Sequence, residues 1–366
     1  MHNLSTPRLK PFLEYYFDGN KIYFFKNPGT AIEMDDPSGF ISSVCKLMDG
    51  QLSLSELSQK LSTAYPYESQ YLNGLLDVLN ETYLLEDTSA HNSECLTEYD
   101  ITRWERNIEF FGAYTKANEN KYALQKKLQS IKVTLLGLGG AGSHLLYDLA
   151  ALGVHHIQAI DFDMVELSNL NRQILYNETD ISSLKTTIAK NRMEQFAPNA
   201  TIQFINKRIS CSEDIEQFIQ NQDIVISVVD QPRETIIDWV NTACIKHKIP
   251  FICGAFDWKW ALCYSVMPGE TGCIECWKTN ARKANLLFHD FAQKEGFVTA
   301  TAPNVAIVPF IAILTGLILT DFLKFVTGIS KPISFGKLWA FDFDTANMSV
   351  IESWEKNPQC PICQNT

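Results

Sequence analysis

The chain has 366 residues, 46% of them hydrophobic and 20% charged, which suits one or two packed domains and excludes wholesale disorder. Asp and Glu total 42 against 31 Lys and Arg, a net charge of −11, the wrong sign for bulk attraction to a nucleic acid. The opening MHNLSTPRLKPFLEYY has no basic-then-apolar signal pattern, so a cytoplasmic protein is expected. Ten cysteines in such a chain argue against a disulfide framework.

Residues 1–90 read as a small module. Lys21–Phe25, KIYFF, predicts a short strand. Phe40, Val44, Leu47 and Met48 recur at helical spacing within Pro37–Asp49, closed by Gly50. LSLSELSQKLSTAY follows from Leu52, with Ser53 or Ser55 as N-cap and Leu57 and Leu61 at i, i+4. YESQYLNGLLDVLNETYLLED predicts a third helix. Three helices with short turns and a strand suggest a winged helix. DNA binding is disfavoured, because the third helix carries Glu68, Asp77, Glu81 and Glu86 and no Lys or Arg. Peptide binding by strand addition to the wing is the alternative use. The polar, acidic stretch Glu86–Asp100 reads as a linker, placed at residues 91–100. Residues 101–366 form the second domain.

That domain opens with two helices, Thr102–Tyr114 and Asn118–Ser130. Strands at Lys132–Leu138, Ile157–Asp161, Thr201–Ile205 and Ile224–Val229 then alternate with helices at Ser143–Leu152, Lys185–Phe196 and Ile215–Gln220. The alternation predicts an α/β fold with a mostly parallel sheet and helices on both faces. Val305–Leu319 is apolar but only 15 residues long, with Pro309 and Gly316 inside it, so it reads as a buried core or dimer-interface helix and not a membrane span.

GLGGAG, Gly137–Gly142, fits GxGxxG between an apolar strand and a helix. Its glycines let backbone N–H groups approach a phosphate at a helix N-terminus. Asp161 ends the next strand, where a carboxylate can hold ribose hydroxyls. The loop alone does not separate a nicotinamide dinucleotide from ATP. The run DFDMVELSNLNRQ, Asp161–Gln173, does: a dehydrogenase has no use for Asn169, Arg172 and Gln173 just beyond its ribose acid. Arg172 offers a planar fork for phosphate oxygens, and Lys185 adds a point charge at the next helix start.

GLGGAG, the Asp161–Gln173 run, Lys185 and VVDQP at Val228–Pro232 together resemble the ubiquitin-activating-enzyme superfamily, with its ThiF and MoeB branches. The resemblance covers roughly Asp100 to the C-terminus. It implies a homodimeric, Rossmann-like adenylation domain that uses Mg-ATP to adenylate a C-terminal carboxylate and releases pyrophosphate. It implies that Gly137, Gly139, Gly140, Gly142, Asp161, Asp163, Asn169 and Gln173 bind the nucleotide. It makes Arg106, Arg172, Lys185 and Asp230 the catalytic set, with Asp230 holding magnesium. Arg106 lies in RWERN, similar to the family's RYxRQ, and would reach the triphosphate of a neighbouring subunit. Ser183 and Leu184 stand where relatives place an auxiliary glycine or lysine.

Cys273/Cys276 and Cys360/Cys363 are two CxxC pairs that fit a closed four-thiolate zinc site, a structural clip in similar family members. No cysteine lies between Cys276 and Cys360, the interval where thioester- or persulfide-forming relatives place a nucleophile. Trp277–Thr301 offers Lys278, Arg282, His289 and Lys294 instead, so the chemistry is expected to stop at nucleotidyl transfer. The front module, RWERN, NLNRQILY, PGETGCIEC and the terminal CPIC further resemble the family's microcin-type peptide nucleotidyltransferases. That resemblance implies action on the C-terminus of a short ribosomal peptide, with N–P bond formation from ATP or CTP, in antibiotic peptide biosynthesis. Activation of a ubiquitin-like sulfur carrier and a non-catalytic leader-peptide scaffold are the alternatives.

Overall fold

The computed structural model describes residues 4–90, 93–233, 235–283 and 305–364. It divides into two compact units, Met1–Lys127 and Leu128–Thr366.

The first unit runs β1 (Pro7–Leu9), β2 (Glu14–Phe17), β3 (Lys21–Asn27), β4 (Thr30–Asp35), α1 (Phe40–Leu47), α2 (Leu54–Ala64), α3 (Leu72–Glu81), β5 (Leu85–Asp87), α4 (Glu98–Arg103), α5 (Glu105–Gly112) and α6 (Lys121–Ser130). β2, β3 and β4 form an antiparallel sheet in that order, and β1 pairs with β5. Ile22 and Phe24 of the predicted strand are fully buried, against Val44, Leu57, Leu61 and Leu79 of the three helices. Ser53 caps α2: its Oγ accepts from Glu56 N at 3.2 Å, and the Glu56 carboxylate accepts from Ser53 N at 2.8 Å.

Two expectations need correction. The polar stretch read as linker from Glu86 onward begins inside β5, where Glu86 and Asp87 are buried. Glu86 pairs with Arg8 and with Lys121 Nζ at 3.3 Å. Asp87 accepts from Ser5 N at 2.6 Å, Thr6 N at 3.0 Å and Ser89 Oγ at 2.7 Å. The carboxylates there are satisfied by the chain, not by water. The helix expected over Thr102–Tyr114 is two helices that meet at the buried Trp104, and the first starts earlier, at Glu98.

The second unit holds β6 (Lys132–Leu136), α7 (Gly140–Leu152), β7 (His156–Asp161), α8 (Lys185–Phe196), β8 (Thr201–Asn206), α9 (Ser212–Ile219), β9 (Ile224–Ser227), α10 (Ile236–His247), β10 (Phe251–Phe256), β11 (Trp260–Val266), α11 (Ile274–Lys283), α12 (Val308–Thr327), β12 (Lys337–Asp342) and β13 (Met348–Ser353). They form an eight-stranded sheet in the order β13-β12-β11-β10-β9-β6-β7-β8. β10, β9, β6, β7 and β8 are mutually parallel, and β11 to β13 continue antiparallel. The α/β expectation with a mostly parallel sheet holds. From β6 the chain winds out through β7 and β8, then returns to β9 on the other side. The crevice at the C-terminal ends of β6 and β9 is therefore the switch point where open α/β sheets bind ligands.

α12 is long and apolar enough to cross a membrane. It packs instead on the second unit's own elements. Ile311 Cδ1 lies 3.0 Å from where a Cβ on Gly140 would sit, and Ile318 Cδ1 lies 2.6 Å from that point on Gly254. Its Asp321 is fully buried and accepts from Ile333 N and Ser334 N at 2.8 and 2.6 Å.

Candidate active site and metal centre

The loop after β6 is built by close backbone approach. Gly137 has φ +93, a conformation that favours glycine. A Cβ on Gly142 would lie 1.9 Å from Gly137 O, so no side chain fits there. Gly139 is the N-cap of α7, whose first N–H groups have no intrahelical acceptor, a geometry suited to an anion. Leu138, fully buried between the glycines, is held at both polar atoms. Its N–H donates to Asp161 Oδ2 at 2.6 Å, and its carbonyl accepts from Tyr176 Oη at 2.9 Å.

Asp161 ends β7. Its other oxygen accepts from Asp163 N at 2.8 Å. Burial pushes its pKa up, opposed by Lys185 and by these two N–H donors. Lys185, the first residue of α8, is buried and places Nζ 2.9 Å from Asp163 Oδ2. A short ladder makes this possible: Lys185 N donates to Asp163 O at 3.0 Å, Val165 N to Ser183 O at 2.9 Å, and Ser182 N to Val165 O at 2.9 Å.

The rest of the run folds back toward the glycine loop. Asn169 is buried; its side-chain oxygen accepts from Glu166 N at 3.1 Å, and its carbonyl accepts from Arg172 N at 3.1 Å and Gln173 N at 2.9 Å. Arg172 Nη1 donates to Ser168 O at 3.0 Å and Asn171 Oδ1 at 2.9 Å. The Arg172 Cδ lies 3.6 Å from the Cβ position of Gly140, and Gln173 Nε2 lies 3.8 Å from that of Gly139. Gln173 Oε1 is buried with no hydrogen-bond partner among the described residues, and an acceptor so placed can take a bond from a ligand donor.

Beyond β9, Val229 Cγ1 and Val228 O pack 3.0 and 3.3 Å from the Cβ position of Gly137. The next residue, Asp230, is exposed. Gly137, Gly139, Gly140, Gly142, Asp161, Asp163, Asn169, Arg172, Gln173 and Lys185 thus gather at one edge of the sheet, with Asp230 following the β9 turn that touches them. Arg106 is exposed on α5 of the first unit. Lys278 is buried and pairs with Asp238, and Arg282 pairs with Glu275 at 2.7 Å. His289 and Lys294 lie outside the described residues.

Cys273, Cys276, Cys360 and Cys363 converge and are all buried, with their sulfurs within 4.8 Å of one another. Cys273 Sγ lies 3.9 Å from Cys276 Sγ and 3.6 Å from Cys360 Sγ, and Cys276 Sγ lies 3.4 Å from Cys363 Sγ. A tetrahedron of thiolates around zinc at about 2.3 Å has edges of about 3.8 Å, so the four sulfurs fit zinc. Asn357 N donates to Cys276 Sγ at 3.3 Å, a contact that orients one ligand.

Residues 106–362 match the model of the ThiF family. The chain belongs to the ThiF family. It is an ATP-dependent adenylyltransferase, as members of that family are. A sulfur carrier protein adenylyltransferase of Thermus thermophilus is 28% identical over 244 residues, 65% of this chain and 84% of the relative. The molybdopterin-synthase adenylyltransferase of Escherichia coli is 26% identical over 242 residues, 65% of this chain and 89% of the relative. Crystalline E. coli MccB with succinimide superposes at a TM-score of 0.78 and 22% identity, covering 98% of this chain and 99% of MccB. MccB in complex with N-formylated MccA gives 0.76 at 21% identity, with 98% of this chain and 99% of MccB covered. At that identity the likeness to MccB is one of fold, and it extends over the front unit as well as the adenylation core.

Three details escaped the sequence. The Asp163–Lys185 link and the Tyr176 hydroxyl depend on loop closure. The orphaned Gln173 oxygen depends on burial, for which no residue pattern is a signal.

Proposed function

We propose that this ThiF-family enzyme activates and nucleotidylates the C-terminus of a short ribosomal peptide, in the manner of a microcin-type enzyme. The observation that carries the reading is in the first unit. β4 is the outer strand of its sheet, and a groove of about 500 Å³ runs beside it, lined by Met34, Asp36, Phe40, Tyr71, Leu75 and Val78. Tyr71 and Val78 are 65% and 46% exposed. Among the described residues no strand pairs with the outer edge of β4, and an extended peptide can add there and place alternate side chains in the groove. Residues 1–90 are thus a winged-helix-like peptide-binding module, and the chain from about residue 101 is the adenylation domain.

In the first step a carboxyl-end oxygen attacks the α-phosphorus of ATP, the α–β bridging bond breaks, and pyrophosphate leaves. For an asparagine-ended peptide, the side-chain amide nitrogen then attacks the activated carbonyl, loses a proton and displaces AMP, closing a succinimide. An amide-derived nitrogen then attacks the α-phosphorus of a second nucleotide, ATP or CTP, forming the N–P bond with loss of pyrophosphate. Asp161 holds the ribose, and the α7 N-terminus with Gly137, Gly139, Gly140 and Gly142 receives phosphate oxygens. Arg172 and Lys185 neutralise charge on them, and Asn169, Gln173 and Asp163 order the loop beside them. Asp230 would hold magnesium, which would supply positive charge against the pyrophosphate as it forms. Arg106 acts across a homodimer on the same charge. The four cysteines would hold a structural zinc.

The curated relatives favour a second reading, adenylation of a sulfur-carrier C-terminus, because they match the adenylation core by sequence. Incubating zinc-replete enzyme with magnesium, ATP or CTP, and either an asparagine-ended peptide or a Gly-Gly-ended carrier separates the two. A peptide that gains a nucleotide monophosphate in intact mass supports the first reading; adduct on the carrier alone replaces it with the second.

A further inference from the structure

The sequence motif ends at Tyr176, to which the functional reading gives no task. Its ring is 4% exposed, and its hydroxyl donates to Leu138 O at 2.9 Å across 38 residues of chain. Leu138 is the central residue of the glycine loop and is itself fully buried, so water cannot replace the phenol as donor.

The consequence follows from peptide geometry. In a trans peptide the C=O and the next N–H point in opposite directions. Asp161 Oδ2 pulls the Leu138 N–H one way, so the Gly137 carbonyl points the other way, toward Gly142. Tyr176 likewise pulls the Leu138 carbonyl, so the Gly139 N–H is turned away from Tyr176. Gly139 is the N-cap of α7, and the Arg172 and Gln173 side chains lie beside this turn. We propose that Tyr176 is a positioning residue: its hydroxyl sets the Leu138–Gly139 peptide plane so that the Gly139 N–H faces the nucleotide's phosphates. Burial, reinforced by Asp161, Asp163 and Asp180, pushes the Tyr176 pKa up, so the phenol stays a donor at any working pH. A phenylalanine would fill the same space and lose only this bond.

The inference rests on the reading that the glycine loop holds phosphate, and the test separates the two. Calorimetry with Mg-ATP on the full chain should give a Kd about tenfold weaker for Tyr176→Phe than for the wild type, the order expected when one N–H bond to a charged phosphate is lost. The inhibition constant of adenosine, which has the base and ribose but no phosphate, should be the same for both. Equal weakening of ATP and adenosine, or no weakening of ATP, overturns the proposal. A second measurement needs no variant. In the wild-type chain, the Gly139 amide should gain hydrogen-exchange protection on adding Mg-ATP, and an unchanged exchange rate overturns the proposal. A wild-type chain that binds adenosine as tightly as ATP overturns the phosphate reading itself.

Discussion

Lys185 and Asp163 are joined twice, by Nζ to Oδ2 at 2.9 Å and by backbone N to O at 3.0 Å. The ammonium is buried at the first residue of α8, while the Asp163 side chain is 49% exposed. A cation at a helix N-terminus is disfavoured by the helix dipole, so it is held there by a specific partner. Removing the lysine leaves an aspartate that water can still solvate. Lys185→Ala should therefore fold normally. It should lower nucleotide-dependent turnover about 100-fold, the typical loss on removing one group that stabilises transition-state charge. Pyrophosphate release measures this, and activity within twofold of wild type removes Lys185 from the catalytic set.

Zinc content follows from the four-sulfur cluster. Purified enzyme should carry one zinc per chain by elemental analysis. Cys360→Ser or Cys363→Ser should lose it and lower the melting temperature by about 10 °C, as expected when several kcal/mol of metal-coupled folding energy is lost. Full stability after metal removal would make the cysteines a packing cluster only.

Gly74 lies on α3 at the groove beside β4, and a Cβ there would meet nothing within 4 Å. Gly74→Trp should thus fill the groove without disturbing the core. The expected result is a KM for the peptide raised about tenfold with the KM for ATP unchanged, as for a blocked strand-addition site. Equal peptide KM values would place the peptide elsewhere.

Lys10 supplies a pH signature. It is buried, donates to Thr115 O at 2.7 Å, and burial pushes its pKa down to about 8, opposed by Glu86 and reinforced by Lys121. Below about pH 8 both folded and unfolded chains carry this proton, and the fold bears the full cost of burying the cation. Between there and the ordinary lysine range, only the unfolded chain keeps the proton, so stability rises with pH. Urea midpoints at about pH 7.5 and about pH 9.5 should show this rise in the wild type and a smaller one in Lys10→Met. Parallel profiles would assign the rise to other groups.

The core of the second unit was legible because its signals are local. α8 spans Lys185–Phe196 as predicted, and Gly137–Gly142 sits between β6 and α7 where the spacing requires. Ser53 was one of two candidate caps, and Glu56 three residues on decided between them. What composition misread were charges satisfied at a distance. Glu86 finds Arg8 across 78 positions of sequence, so an acidic stretch that resembles a solvated linker opens as a buried strand. Tyr176 was invisible for the same reason, since its partner is a backbone carbonyl 38 residues away.

The cysteine clip also has a temporal consequence. Its first two ligands lie at the start of α11, and its last two follow β13, with α12, β12 and β13 between them. A ribosome that has completed the whole nucleotide loop has therefore made none of the four ligands, and one that has completed α11 has made two. A transcript broken between codons 185 and 363 yields a chain with intact glycine and lysine motifs but no fourth thiolate.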